Sequence, residues 1–261
     1  MNTSLSFDQA ADFYDKTRPS IETTTEAGIQ ALFESAGKGS RILEVGTGTG
    51  RISIPLLERG ADLIGCDISV KMLARQQEKF PAARLAQSDA VSLPFLSGHF
   101  DAVLGVHVMH LIGPWKEALH EFKRVLRLGG VFLNASTHET VGTSARSEMH
   151  THWREWLRER GVDTRHPGAQ TAEEVRAELE SMGAHWKTVD VVHFPTTYTL
   201  RRELDRYEKR TSSVTWSIPE AIYLESLIDL RGWVSQQFGD IDQEIQETSR
   251  FFFDVVHFDA V

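Results

Sequence analysis

Residues Arg41 to Ser53 read RILEVGTGTGRIS. Ile42, Leu43 and Val45 make a short apolar run of the kind that fills a buried strand. Gly46, Gly48 and Gly50 then take alternate positions, and a helical pattern follows. A glycine-rich turn between a strand and a helix lets backbone approach a ligand closely. The dinucleotide fingerprint G-x-G-x-x-G would need glycine at position 51, where Arg51 stands, so the third glycine comes one place early. Glu44 lies two residues before the first glycine. A carboxylate repels a phosphate and attracts an amino or sulfonium group. The turn therefore points to a nucleoside that carries positive charge and no phosphate.

Outward from this turn the pattern alternates. ADLIGCD, AARLAQSD, FDAVLGVHV and GGVFLNAST read as strands, and SVKMLARQQEKF and WKEALHEFKRVLR read as helices between them. Residues 7 to 36 also show helical spacing and stop at Gly37 and Gly39. Strands alternating with helices in this way predict an α/β fold, a mostly parallel sheet covered on both faces. After Thr137 the rhythm breaks. Residues 139 to 170 are polar and rich in His, Arg and Trp, with no strand signal; then come a helix at AEEVRAELESMG and an alternating strand at WKTVDVVHFPTTYTL. Two or three helices are expected through residue 240, and SRFFFDVVHF is the last strand, the seventh.

The chain has 261 residues, 41% of them apolar, which suffices for a sizeable core. Its net charge of −9 disfavours nucleic acid and anionic membrane surfaces as partners. Cys66 is the single cysteine, so neither an internal disulfide nor a cysteine-rich metal site can form. No metal site is expected from the histidines either, because His107, His110, His138, His150 and His152 show no recurring ligand spacing. The N-terminal residues lack the apolar stretch of a signal peptide, and no run reaches the roughly 18 apolar residues of a membrane span. The expectation is a cytoplasmic protein.

With these residues in order, the sequence resembles the class I S-adenosylmethionine-dependent methyltransferases, in the branch compared with quinone-biosynthesis enzymes. ILEVGTGTG is similar to the family's first motif, whose glycines admit the methionine part of the cofactor. The resemblance implies a doubly wound, Rossmann-like seven-stranded sheet with helical cap insertions, and S-adenosyl-L-methionine as co-substrate with S-adenosyl-L-homocysteine as product. Glu44, Gly46, Thr47, Gly48 and Gly50 would then hold the methionine end. Asp67, which ends GCDIS twenty-one positions after Gly46, would take the ribose hydroxyls. Ile68 and Met72 would pack against adenine, and Ser88, Asp89 and Ala90 in QSDAVSLPF would meet its edge. Tyr14 and Arg18, in YDKTRP, would reach the cofactor carboxylate. His107, in VHVMHLIGPW, would touch the cofactor, and His107 or His110 would serve as general base if the nucleophile must lose a proton. RVLRLGG is similar to another family stretch, with Leu128 where proline is usual.

The expected organisation is one methyltransferase domain, its core at about 37–137, 171–199 and 248–261. Its cap is drawn from 7–36, 139–170 and 200–247 and encloses a small, partly apolar methyl acceptor. The run RRELDRYEKR reads as a solvated helix face, and Trp153, Trp156, Trp216 and Trp233 read as core. The protein is expected as a monomer or homodimer. Three other functions remain open from sequence: wobble-base methylation of tRNA, cofactor binding without transfer, and a nicotinamide-dependent oxidoreductase.

Overall fold

The computed structural model describes residues 4–17, 22–140 and 144–259, with backbone alone at 22–25 and 136–140. Seven strands form one sheet: β1 Arg41–Val45, β2 Asp62–Asp67, β3 Arg84–Gln87, β4 Phe100–Val106, β5 Leu126–Thr140, β6 Ala184–Tyr198 and β7 Ile245–Phe258. Their order is β3-β2-β1-β4-β5-β7-β6. The pairs β1–β2, β1–β4, β2–β3 and β4–β5 are all parallel. Strand order reverses on either side of β1, so the crevice for a ligand opens beyond the carboxyl ends of β1 and β4.

Local chemistry explains the helices that cover this sheet. In α5 (Trp115–Val125), Ala118, Leu119, Phe122 and Val125 form one buried stripe, and Lys123 and Arg124 complement the helix dipole in its last turn. Helix α4 (Val70–Lys79) is capped by Ser69, whose side chain accepts from Met72 N. Helix α7 (Ala172–Ser181) opens on a capping box made by Thr171 and Glu174. Between Phe100 and Ala102 the β4–β5 register jumps from Leu126 to Val131, so the turn at Gly129 is absorbed as a bulge and β5 starts three residues before the expected strand.

The chain divides into two compact units. The first takes residues 1–137, 166–192 and 250–261, with a core around Leu43, Phe100, Val103, Phe122 and Phe132. The second takes 138–165 and 193–249 and contains α6 (Ala145–Glu159), α8 (Leu200–Glu208) and α9 (Glu220–Phe238). Its core is Met149, Trp153, Leu157, Tyr223, Leu230 and Val234, with Trp156 and Trp233 packed against it.

Two expectations are corrected here. Residues 7–36 are not one helical stretch: residues 8–13 are turns, α1 is the single turn Tyr14–Thr17, and α2 runs Glu22–Ala36. The acids in these turns bond outward instead of lining a helix face. Asp8 Oδ1 accepts from Ser69 Oγ at 2.5 Å and Asp15 Oδ2 accepts from Lys79 Nζ at 2.9 Å. Secondly, RRELDRYEKR is only partly solvated, because Glu203 and Leu204 are buried in the second unit.

Candidate active site

At the end of β1 the chain turns sharply, and Gly46 N and Thr47 N both donate to Cys66 O on β2, at 2.8 and 3.0 Å. Gly46, Gly48 and Gly50 have φ of 73°, 56° and 85°, the left-handed region open to glycine. A side chain at Gly46 would put its Cβ 2.6 Å from Val108 Cγ2. At Gly50 a Cβ would meet Ile54 Cδ1 at 2.7 Å and Gln76 Cγ at 2.8 Å. Gly50 thus seats α3 (Ser53–Glu58) against α4, and it does not itself line the cleft.

Beneath the turn lies a buried polar cluster. Thr47 Oγ1 stands 2.8 Å from Glu44 Oε2, 2.9 Å from Ser53 Oγ and 3.1 Å from Gln76 Oε1, and Gln76 Nε2 donates to Ser53 Oγ at 2.7 Å. Glu44 is 2% exposed. Burial pushes its carboxyl up to about 7, against the bonds from Thr47 and Ser53, and the nearby Asp67 charge adds to the rise. One threonine proton cannot serve both Glu44 and Gln76; a proton on Glu44 resolves this, because the carboxyl then donates to Thr47 Oγ1 and Thr47 donates to Gln76 Oε1.

Asp67 closes β2 facing the same space. Its Oδ2 accepts from Gly48 N at 2.9 Å and its Oδ1 from Ser69 N at 2.8 Å. Burial raises its pKa while these amides oppose the rise. Each oxygen keeps a lone pair, the arrangement that binds a vicinal diol. Ser88 N donates to Asp67 O at 3.1 Å, and Asp89 makes a local turn through Val91 N, at 3.3 Å.

A cleft of about 1260 Å³, counted to its open mouth, gathers these groups. Of the residues expected to bind cofactor, Tyr14, Glu44, Gly46, Thr47, Gly48, Asp67, Ile68, Met72, Ser88, Asp89, Ala90 and His107 line it. Arg18 lies outside the described residues. His107 has φ of 52° and donates its amide to Ala135 O at 3.0 Å. His110 is not on the cleft wall; its carbonyl accepts from Gly168 N at 2.9 Å and its ring meets His166 edge-on at 4.8 Å. Cys66 does line the cleft, and burial pushes its thiol up to about 12, which leaves it unreactive. Sequence reasoning missed the apolar wall: Leu5, Phe7, Ile29, Leu32, Leu111, Ile112 and Phe251. Only Ile29 and Leu32 carried a signal, their helical spacing. Among the described residues, no three His, Cys, Asp or Glu side chains gather as a metal site, and no helix is long and apolar enough to cross a membrane.

Residues 43–134 match the family described as a methyltransferase domain. The demethylmenaquinone methyltransferase of Beutenbergia cavernae is 34% identical over 129 residues, 48% of this chain and 53% of that protein. A phosphatidylethanolamine N-methyltransferase of Cereibacter sphaeroides is 37% identical over 123 residues, 45% of this chain and 57% of that one. The chain thus spans about half the length of the curated relatives it matches. Among solved structures, the YcgJ protein of Bacillus subtilis superposes with a TM-score of 0.59 at 17% identity, over 90% of this chain and all of its own. A phosphoethanolamine N-methyltransferase of Haemonchus contortus, solved with S-adenosyl-L-methionine, gives 0.51 at 19% identity over 98% of this chain and 60% of its own. At such identities these structures speak for the fold alone. The resemblance read from the motifs is borne out by the family match, and the seven-stranded Rossmann-like sheet by these neighbours.

Proposed function

We propose that the protein transfers the methyl group of S-adenosyl-L-methionine to a small-molecule acceptor and releases S-adenosyl-L-homocysteine. The observation that carries this reading is the pairing of the buried carboxylate of Glu44 with the half-buried one of Asp67 on the wall of one cleft, beside a glycine turn. A phosphate would meet both charges unfavourably, whereas a cationic nucleoside with a free ribose satisfies both. Glu44 beside the turn disfavours the pyrophosphate of a nicotinamide dinucleotide in the same seat.

When bound, the cofactor supplies an electrophilic methyl carbon and a thioether leaving group that needs no proton. The chain's residues have three tasks. Glu44, once ionised, holds the positive methionine end, and the Thr47 and Ser53 hydroxyls steady it. Asp67, fixed by two amides, takes the ribose, while Ile68 and Met72 flank the base. The apolar wall from Ile29, Leu32, Leu111 and Phe251 excludes water and favours an acceptor with an apolar body, held near the methyl group. His107 is the histidine on the cleft wall and takes a proton where the acceptor must lose one; His110, off that wall and with its ring against His166, is assigned to packing. The reading places the protein in the cytoplasm, as a monomer or homodimer that needs no nucleic acid.

The test is transfer of tritium from methyl-labelled S-adenosylmethionine into the small-metabolite fraction of a cell extract. The intact protein should label a compound that the Asp67→Ala variant leaves unlabelled. Equal labelling by both proteins, or none by either, would contradict the proposal.

A further inference from the structure

The second unit has a recess of its own, about 820 Å³ counted to its open mouth. Helix α6 supplies one wall with Arg146 and Trp153, α8 supplies another with Glu203, Arg206 and Tyr207, and the segment from Thr211 to Thr215 closes the end. All of these residues belong to this one unit. Glu203 is the only acid among the lining residues, and it is 5% exposed. Two guanidinium groups answer it: Arg206 Nη1 donates to its Oε2 at 3.1 Å, and Arg146 Nη2 stands 3.3 Å from its Oε1. Its carboxylate is therefore committed, which leaves no charge for an incoming cation. The lining is instead cationic on balance.

The rest of the wall is made of donors over aromatic carbon. Among the described residues the Tyr207 hydroxyl makes no hydrogen bond, nor do those of Ser147 and Ser212 on the same wall. Burial and the Glu203 charge hold the Tyr207 phenol in its protonated, donating form. Val214 and the Tyr207 ring give the wall its apolar part; Trp153 lies buried behind it, 1% exposed, with its indole N–H used by Ser226 Oγ at 3.0 Å. A flat apolar body with one acceptor-rich anionic end matches this wall. A dianion such as phosphate would bring a second negative charge close to buried Glu203.

We propose that this recess binds a small aromatic monocarboxylate, its carboxylate held by the Arg206 guanidinium and the Tyr207 hydroxyl and its ring against the apolar part of the wall at Tyr207 and Val214. The site is additional to the cleft that takes the cofactor and does not depend on it.

The test is calorimetric titration of the full chain with phenylacetate, phenylacetamide and inorganic phosphate, with a thermal unfolding midpoint for each variant. Phenylacetate should bind, and the uncharged amide should bind at least about tenfold more weakly. Arg206→Gln and Tyr207→Phe should each weaken phenylacetate by about tenfold; Arg206→Gln should lower the midpoint through the loss of a Glu203 partner, and Tyr207→Phe should leave it unchanged. Absence of phenylacetate binding, equal binding of the amide, tighter binding of phosphate, or folded variants that bind like the parent would each overturn the site. The carboxylate-to-amide comparison uses the parent protein alone, so it stands even where a variant unfolds.

Discussion

Glu44 carries the strongest residue-scale consequence. Its carboxyl sits near 7 in the folded protein against an ordinary value of 4.5. Between these two values the folded chain holds a proton that the unfolded chain has lost, so stability falls as pH rises through that window. The full cost is on the order of 3 kcal/mol. Glu44→Gln should therefore raise the unfolding midpoint at pH above 7 and change it little below about 4.5, and a pH series of thermal melts checks this. The same variant should bind S-adenosylmethionine more weakly, and affinity of the parent should rise with pH as Glu44 ionises. Asp67→Ala should weaken S-adenosylhomocysteine by the loss of charge-assisted hydrogen bonds, about 1.5–3 kcal/mol for each. Gly46→Ala places a Cβ against Val108 at positive φ, and about 1–3 kcal/mol of stability should be lost in urea titrations. These residues were legible because strand-end acids and alternating glycines keep fixed offsets from one short strand. His110 was not legible in the same way, since the spacing of His107 and His110 does not reveal which ring the turn at His107 directs into the cleft.

Elements show where sequence reading stops. The strand–helix alternation through Thr137 was readable because each element carries its own period. The N-terminal turns were not, because their acids are specified by a distant helix. Asp8 accepts from Ser69 Oγ and Lys71 N, Asp12 pairs with Arg75, and Asp15 accepts from Thr49 Oγ1 and Lys79 Nζ. Helical spacing along 71, 75 and 79 puts the three basic residues on one face of α4. Phe7 and Tyr14, carried by this segment, line the cleft. Exposed pairs of this kind are screened by salt. Raising ionic strength to about 0.5 M should therefore speed release of S-adenosylhomocysteine, and Asp12→Ala should speed it at low salt and blunt the salt effect. Release rates that ignore both changes would mean that the N-terminal segment does not hold the ligand. The apolar wall was hidden for a related reason: Leu5, Leu32 and Phe251 meet through the fold, and no local motif joins them.

For the whole molecule, composition set useful bounds and left the division of the chain open. The expected cap pieces were 7–36, 139–170 and 200–247. The contacts group 138–165 with 193–249 as a second unit, and residues 7–36 fall within the first. The difference has a physical basis in β5, β6 and β7, each of which carries residues of both units, so that a boundary crosses a continuous strand and leaves no loop signal behind. The second unit's core, centred on Trp153 and Tyr223, comes from helices more than 60 residues apart in sequence, a pairing that periodicity alone cannot show. The measurement that bears most directly on the central claim is calorimetric titration of the intact chain with S-adenosylmethionine, S-adenosylhomocysteine and NAD⁺. Saturable binding of both adenosyl compounds with no heat from NAD⁺ is the predicted result. Binding of NAD⁺ alone would contradict the account of the glycine turn and, with it, the methyl-transfer function.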